Sequence, residues 1–281
     1  MKGARVMRRL RRDPLFWVGA TLLLVVILGA LLAGVLSSHA PDRRLDDVGA
    51  RHEPSASHLL GTDGNGYDVF SRLLHGARAS LLTGLAAVLL AILVGLPLGA
   101  ISGYAGGVPD ALLMRATDVL LAFPGVLLAL VIAAWTGGGS AGTLILAVGV
   151  VQVPIFARQV RASVLQAKQE DWVVACRALG MSPTRTLFRH VVPNCLAPVI
   201  VLATLGVGSA ILSAAGLSWL GLGPDPTAPE WGVMLQDGFR FVRDREQWIV
   251  VPPGVAIAVT ALGFNLLGDA LRAALDPRLA R

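Results

Sequence analysis

Leu15-Phe16-Trp17-Val18-Gly19-Ala20-Thr21-Leu22-Leu23-Leu24-Val25-Val26-Ile27-Leu28-Gly29-Ala30-Leu31-Leu32-Ala33-Gly34-Val35-Leu36 is a run of 22 residues without a single charge. Wound as a helix, it is long enough to cross the roughly 30 Å hydrocarbon core of a bilayer. Ahead of it stand Lys2, Arg5, Arg8, Arg9, Arg11 and Arg12. Such a head also precedes secretory signals, but their apolar cores run only about 7–15 residues and close on a small-x-small cleavage site. This run is longer and lacks that site, so it reads as a retained first span.

The rest of the chain agrees. Of 281 residues, 54% are hydrophobic and 15% charged, with a mean hydropathy of +0.67. Soluble domains carry about 25% charge, so an aqueous globule is excluded. Thirty-two Gly and sixteen Pro argue against one continuous coiled coil, and the Gly lack the triplet period of collagen. Cys176 and Cys195 are too few for a disulfide framework. The pI near 10.3 alone does not choose between nucleic acid and membrane.

No charge lies between Arg78 and Asp110, which accommodates a second helix ending near Gly103. A third is expected from about Asp110 to Trp135, with Pro124 bending it. After the turn Gly137-Gly138-Gly139-Ser140 a fourth runs from about Ala141 to Ala157, a fifth from Cys195 to Trp219, and a sixth from Trp248 to Gly268. The expected fold is an all-α integral membrane protein of six transmembrane helices.

Six spans place both termini, Gly103–Asp110 and Arg158–Asn194 on one side. That side, counting Arg115 and Asp118 at its edge, holds 16 of the 24 basic residues, for a net +9 against −3 opposite. The basic-rich side is expected to be cytoplasmic. Positive charge thus reports topology, and no nucleic-acid partner is implied.

Within this frame several residues stand out. Gly95, Gly99 and Gly103 form a small-residue face for close helix packing. Arg115 and Asp118, three apart on one helix face, are expected to pair as a structural couple. Between Arg158 and Pro193, Glu170 to Leu179 reads as a short helix ended by Gly180. Ser182-Pro183 then opens a second helix carrying Arg185 and Arg189, which Pro193 stops. This helix–Gly–helix hairpin over 170–193 suits docking of a cytoplasmic protein. Gly61-Thr62-Asp63-Gly64-Asn65-Gly66-Tyr67-Asp68 looks superficially like a calcium loop, but Tyr67 and the missing twelfth-position Glu make it a glycine-rich turn. His39, His52, His58, His75 and His190 show no paired ligand spacing, so no metal is assigned. The chain has no phosphate-binding loop and no recognisable nucleophile–base set, so no catalytic residues and no resident cofactor are expected.

Together these features resemble the permease subunits of bacterial dipeptide/oligopeptide ABC importers, specifically the second permease of the pair. The likeness rests on Gly61-Thr62-Asp63, Asp68-Val69-Phe70-Ser71-Arg72-Leu73-Leu74 and Gly76-Ala77-Arg78. Gly103-Tyr104, Gly106-Gly107, Met114-Arg115, Asp118 and Phe123-Pro124 continue it. Leu217-Ser218, Leu220-Gly221-Leu222-Gly223, Trp231-Gly232, Met234-Leu235 and Asn265-Leu266-Leu267-Gly268-Asp269 complete it. The resemblance implies the type I ABC importer permease fold, divided into residues 1–76 (basic head, first span, external loop), 77–269 (transmembrane domain) and a cytoplasmic tail, 270–281.

It also places the family's coupling loop, Glu-Ala-Ala-x-x-x-Gly followed by two apolar residues and Pro, on Val174-Ala175-Cys176, Gly180 and Val191-Val192-Pro193. Val174 stands where the acidic residue belongs, so charged contacts fall to Glu170, Asp171 or Arg177. Cys176 reads as a small packing residue, since no resolving Cys accompanies it. The implied partners are a second homologous permease, two ATP-binding subunits that hold the ATP, an external solute-binding protein and membrane lipid. The implied location is the bacterial plasma (inner) membrane. Peptide is the commonest cargo of the family, while nickel chelates and glutathione use the same pattern. An ion-coupled secondary transporter would need internal repeats and mid-membrane ionisable groups, and neither is visible.

Overall fold

The computed structural model describes residues 2–45 and 48–275. Helix α1 (Lys2–Leu10) leads into α2 (Pro14–Leu31), where Asp13 caps the helix by accepting the Leu15 N–H at 2.9 Å and Pro14 fills the first turn. A break at Leu32 precedes the single turn α3 (Ala33–Leu36). A long connection then reaches α4 (Val69–Ala105), whose cap is Asp68, Oδ1 accepting the Ser71 N–H at 2.8 Å. Next come α5 (Gly107–Leu121), α6 (Gly125–Trp135) and α7 (Ala141–Ala167). The hairpin is α8 (Asp171–Ala178) and α9 (Pro183–Thr186), continued by a π-helical turn over Leu187–Val191 into α10 (Val192–Asn194). Helix α11 (Leu196–Leu217), a π turn at Ser218–Leu222, α12 (Trp231–Phe239) and α13 (Gln247–Leu275) complete the order. Among the described residues there is no strand, only one bridge between Thr62 and Asp68.

Helices α2, α4, α7, α11 and α13 are each long and apolar enough to cross a membrane. Helices α5 and α6 are long and apolar enough only when taken together, as one broken span. They meet at 90° around Ala122–Pro124, where the expected third helix was a single helix bent at Pro124. Pro124 donates no hydrogen bond and biases Phe123 away from helical geometry, so the bend becomes a full corner. The fourth helix also exceeds its expected length, carrying Arg158 and Arg161 on to Ala167. Pro193 does not stop the hairpin. The π turn before it, in which the Val192 N–H reaches the Leu187 carbonyl, accommodates the proline, and the helix ends at Asn194. Of the tail assigned to 270–281, residues to Leu275 continue α13 and the remainder lies outside the described residues.

Helix α4 lies along α7, and the stripe of small residues sets their approach. A Cβ at Gly95 would come within 2.9 Å of the Val153 carbonyl oxygen, and one at Gly103 equally close to that of Arg161. Lipid offers helices no hydrophobic drive to associate, so backbone proximity of this kind supplies the packing. Helix α2 rides on α13 through Gly19 and Gly263 in the same manner.

At the end of the bundle away from the hairpin, Arg72 is 2% exposed. Its guanidinium donates to the carbonyls of Thr227 at 3.2 Å and Ala228 at 3.1 Å, lies over the Tyr67 ring and faces Asp63 at 3.4 Å. The chain entering α12 is thereby fastened to α4. Asp63 is held in turn by the N–H groups of Asn65 and Tyr67, both at 2.9 Å. Burial pushes its carboxyl above the ordinary range, with Arg72 and those N–H groups opposing. The carboxylate of the expected glycine-rich turn therefore serves its own backbone.

Candidate functional site on the hairpin

The hairpin has two faces. Val173, Thr186, Leu187 and Val191 are buried, and Val173, Leu187 and Val191 join the main core together with Cys195. The other face carries Val174, Leu179 and Phe188 at 56%, 84% and 46% exposure. Leu179 is the extreme case: an aliphatic side chain held almost entirely in the open at the tip of a turn.

The turn itself is built by Gly180. It takes φ +74°, its N–H reaches the Arg177 carbonyl at 2.9 Å, and the Met181 N–H reaches the Cys176 carbonyl at 3.1 Å. This is the Schellman closure of α8 expected from the sequence. A Cβ at Gly180 would meet nothing within 4 Å, so only the backbone conformation demands glycine there. Across the turn, Ser182 makes no side-chain cap, and Pro183 opens the second helix without it.

Around this face stand the charges. Glu170 and Asp171 are exposed at the start of α8, where the helix dipole favours carboxylates, and Arg177, Arg185 and Arg189 are exposed beyond. Ala175 is exposed, Cys176 is half-buried with a free thiol, and Pro193 is exposed. The structure thus gathers Glu170, Asp171, Val174, Ala175, Cys176, Arg177 and Gly180 on one short helix and its cap, with Pro193 on the return.

Other contacts, absent from the sequence reading, tie the hairpin to the spans. The Lys168 ammonium donates to the Tyr104 carbonyl at 2.7 Å and lies 5.6 Å from its ring centroid, while the Arg177 guanidinium carbon is 5.5 Å from the same centroid. Beside them, Arg161 donates to both carboxylate oxygens of Asp110, through Nε at 2.6 Å and Nη2 at 2.7 Å, and the Ser102 hydroxyl donates to the same group. The expected Arg115–Asp118 pair is not formed. Asp118 Oδ1 accepts instead from Arg158 Nη2 of α7 at 2.6 Å. Helical spacing made Arg115 a neighbour in sequence, but α7 brings a guanidinium into direct reach. The ends of α4, α5, α7 and α8 are therefore joined by ionic and cation–π contacts.

Comparison with known proteins places this geometry. The family model described as binding-protein-dependent transport system inner membrane component matches residues 95–281. The chain belongs to this family. A second model, the N-terminal transmembrane domain of oligopeptide transport permease C, matches residues 3–54. The permease is 44% identical to the dipeptide transport system permease protein DppC of Alkalihalophilus pseudofirmus over 97% of this chain and 88% of that one. It is 39% identical to the glutathione transport system permease protein GsiD of Pectobacterium atrosepticum, over 97% of this chain and 90% of that one. A di/tripeptide permease, DppC of Pseudomonas aeruginosa, is 42% identical over 93% and 87%. An inward-facing structure of the MetNI methionine ABC transporter aligns with a TM-score of 0.60 at 16% identity, over 73% of this chain and 97% of that one. The permease therefore has the type I ABC importer fold and is a multi-pass inner-membrane protein.

Proposed function

We propose that the permease forms half of the membrane pathway of an ATP-driven importer of short peptides. The observation that carries the coupling role is the exposed apolar tip of the hairpin, Val174, Leu179 and Phe188. Solvent-facing aliphatic groups on a rigid, capped turn fit insertion into a groove of another protein. Glu170, Asp171 and Arg177 supply a polar rim, and Gly180 shapes the tip. Two ATP-binding subunits dock there and hold the ATP. A second permease closes the pathway, and an external binding protein delivers cargo. The charge partition supports cytoplasmic termini and a cytoplasmic hairpin. Closure of the ATP-binding subunits displaces the hairpin, and the contacts at Tyr104 pass that movement to α4.

The peptide cargo is supported by the dipeptide and di/tripeptide permeases among the relatives. The glutathione permeases favour a second reading, a cysteine-containing tripeptide. Two measurements test these points. Leu179→Asp should leave insertion and permease pairing intact but lower co-purification of the ATP-binding subunits at least tenfold, since burying a leucine contributes about 1.5–3 kcal/mol. Undiminished docking would overturn the coupling role. Uptake of a labelled dipeptide by cells carrying the whole importer, with unlabelled dipeptide or glutathione as competitor, tests the cargo. Dipeptide uptake that depends on the permease supports the first reading, and glutathione-only uptake replaces it with the second.

A further inference from the structure

At the end of the bundle opposite the hairpin, three segments distant in sequence place metal-binding groups together. His39 follows the first span, His58 lies in the connection to α4, and Asp68 caps α4; one ligand atom from each lies within 4.8 Å of the others. The His58 Nδ1 is 3.1 Å from Asp68 Oδ2, the His39 Nδ1 is 3.8 Å from the same oxygen, and the ring centroids are 4.8 Å apart. A tetrahedral zinc ion, with ligands at about 2.0–2.1 Å, needs ligand atoms about 3.3 Å from one another. The two contacts to Asp68 bracket that separation.

The surroundings favour ligation as well. Asp68 Oδ1 is committed to the Ser71 N–H at 2.8 Å, which fixes the carboxylate and turns Oδ2 toward the imidazoles. The Ser71 hydroxyl donates to the His39 carbonyl at 2.7 Å, holding that residue beside the cap. His58 and Asp68 are buried, whereas the His39 side chain is 24% exposed, leaving one open side for an ion and a water ligand.

We propose that His39, His58 and Asp68 form a site for a borderline divalent transition-metal ion, represented by Zn²⁺, that staples the segment after the first span to the start of α4. Binding takes the Nδ1 lone pair of His58, so in the metal-bound state its ring carries its proton on Nε2, and no electron is exchanged. The absence of paired histidine spacing had argued against a metal, but the three ligands come from separate segments and spacing cannot register them.

The test uses the complete importer purified with a histidine-free affinity tag, equilibrated with Zn²⁺ and desalted. The proposal expects one zinc per permease beyond that held by the same complex bearing His39→Ala. It also expects the visible absorption of a tetrahedral nitrogen/oxygen site when Co²⁺ replaces Zn²⁺. His39→Ala and Asp68→Asn should each weaken binding at least about tenfold, while His75→Ala leaves it unchanged. Zn²⁺ should raise the Tm of the wild type and not that of His39→Ala. Equal zinc in wild type and His39→Ala overturns the proposal, as does a wild type that retains none. The wild-type metal content and cobalt spectrum decide the matter even if a variant fails to fold.

Discussion

Arg177 of the hairpin lies over the ring of Tyr104 at the end of α4, its guanidinium carbon 5.5 Å from the ring centroid, while Lys168 takes up the same ring at 5.6 Å. One aromatic side chain is thus shared by the cation that ends α7 and a cation on α8. A push on α8 meets α4 through this contact.

Replacing Tyr104 by Ala should therefore weaken coupling more than docking. Cation–π contacts of this exposure contribute about 0.5–1 kcal/mol each, so losing both lowers transport per ATP hydrolysed about fivefold to thirtyfold. Tyr104→Phe keeps a ring, and the Lys168 hydrogen bond goes to the backbone, so it should behave as wild type. Uptake and hydrolysis measured together in proteoliposomes check this; equal loss in both variants would sink it.

Gly180→Val should reduce docking through backbone strain alone. The position has φ +74° and open space around it, so the cost is about 1–3 kcal/mol of conformational energy with no clash. Gly180→Asn, which tolerates the left-handed region, should retain most function. Co-purification of the ATP-binding subunits across wild type, Asn and Val should fall in that order.

Arg72→Met should destabilise the permease by about 3–5 kcal/mol, because it leaves buried Asp63 without its cationic partner and the carbonyls of residues 226–228 without their donor. The measurement is the Tm of the purified complex. Adding Asp63→Asn should recover part of the loss by removing the uncompensated carboxylate.

Topology is checked with Ala56→Cys, an exposed position, in a chain whose Cys176 and Cys195 are replaced. A membrane-impermeant maleimide should label it from outside intact spheroplasts. Labelling only after lysis would invert the proposed orientation.

Pro124 shows how far the sequence could be read. Its missing N–H announces a bend, but the 90° corner depends on how α6 then packs against α7. Asp118 shows the limit more sharply. Its helical neighbour Arg115 is plain in the sequence, yet its partner is Arg158, forty residues on. In the hairpin, Gly180 and the apolar pattern were legible because a helix cap is a local arrangement. Tyr104 was not legible as a contact of Arg177, since nothing local links the end of one span to a helix more than seventy residues away.

The sequence by itself determined the membrane medium, the apolar spans, the hairpin turn at Gly180 and the lack of a phosphate-binding loop. Transfer into lipid is close to a sum over neighbouring residues, and caps depend on a few consecutive backbone groups, so both can be read along the chain. Only the tertiary structure decided that Arg72 fastens the chain before α12, that Tyr104 carries two cations, and that His39, His58 and Asp68 converge. These depend on backbone approach between helices, as at Gly95 and Gly103, where contact follows from three-dimensional packing and leaves no fixed spacing in the sequence.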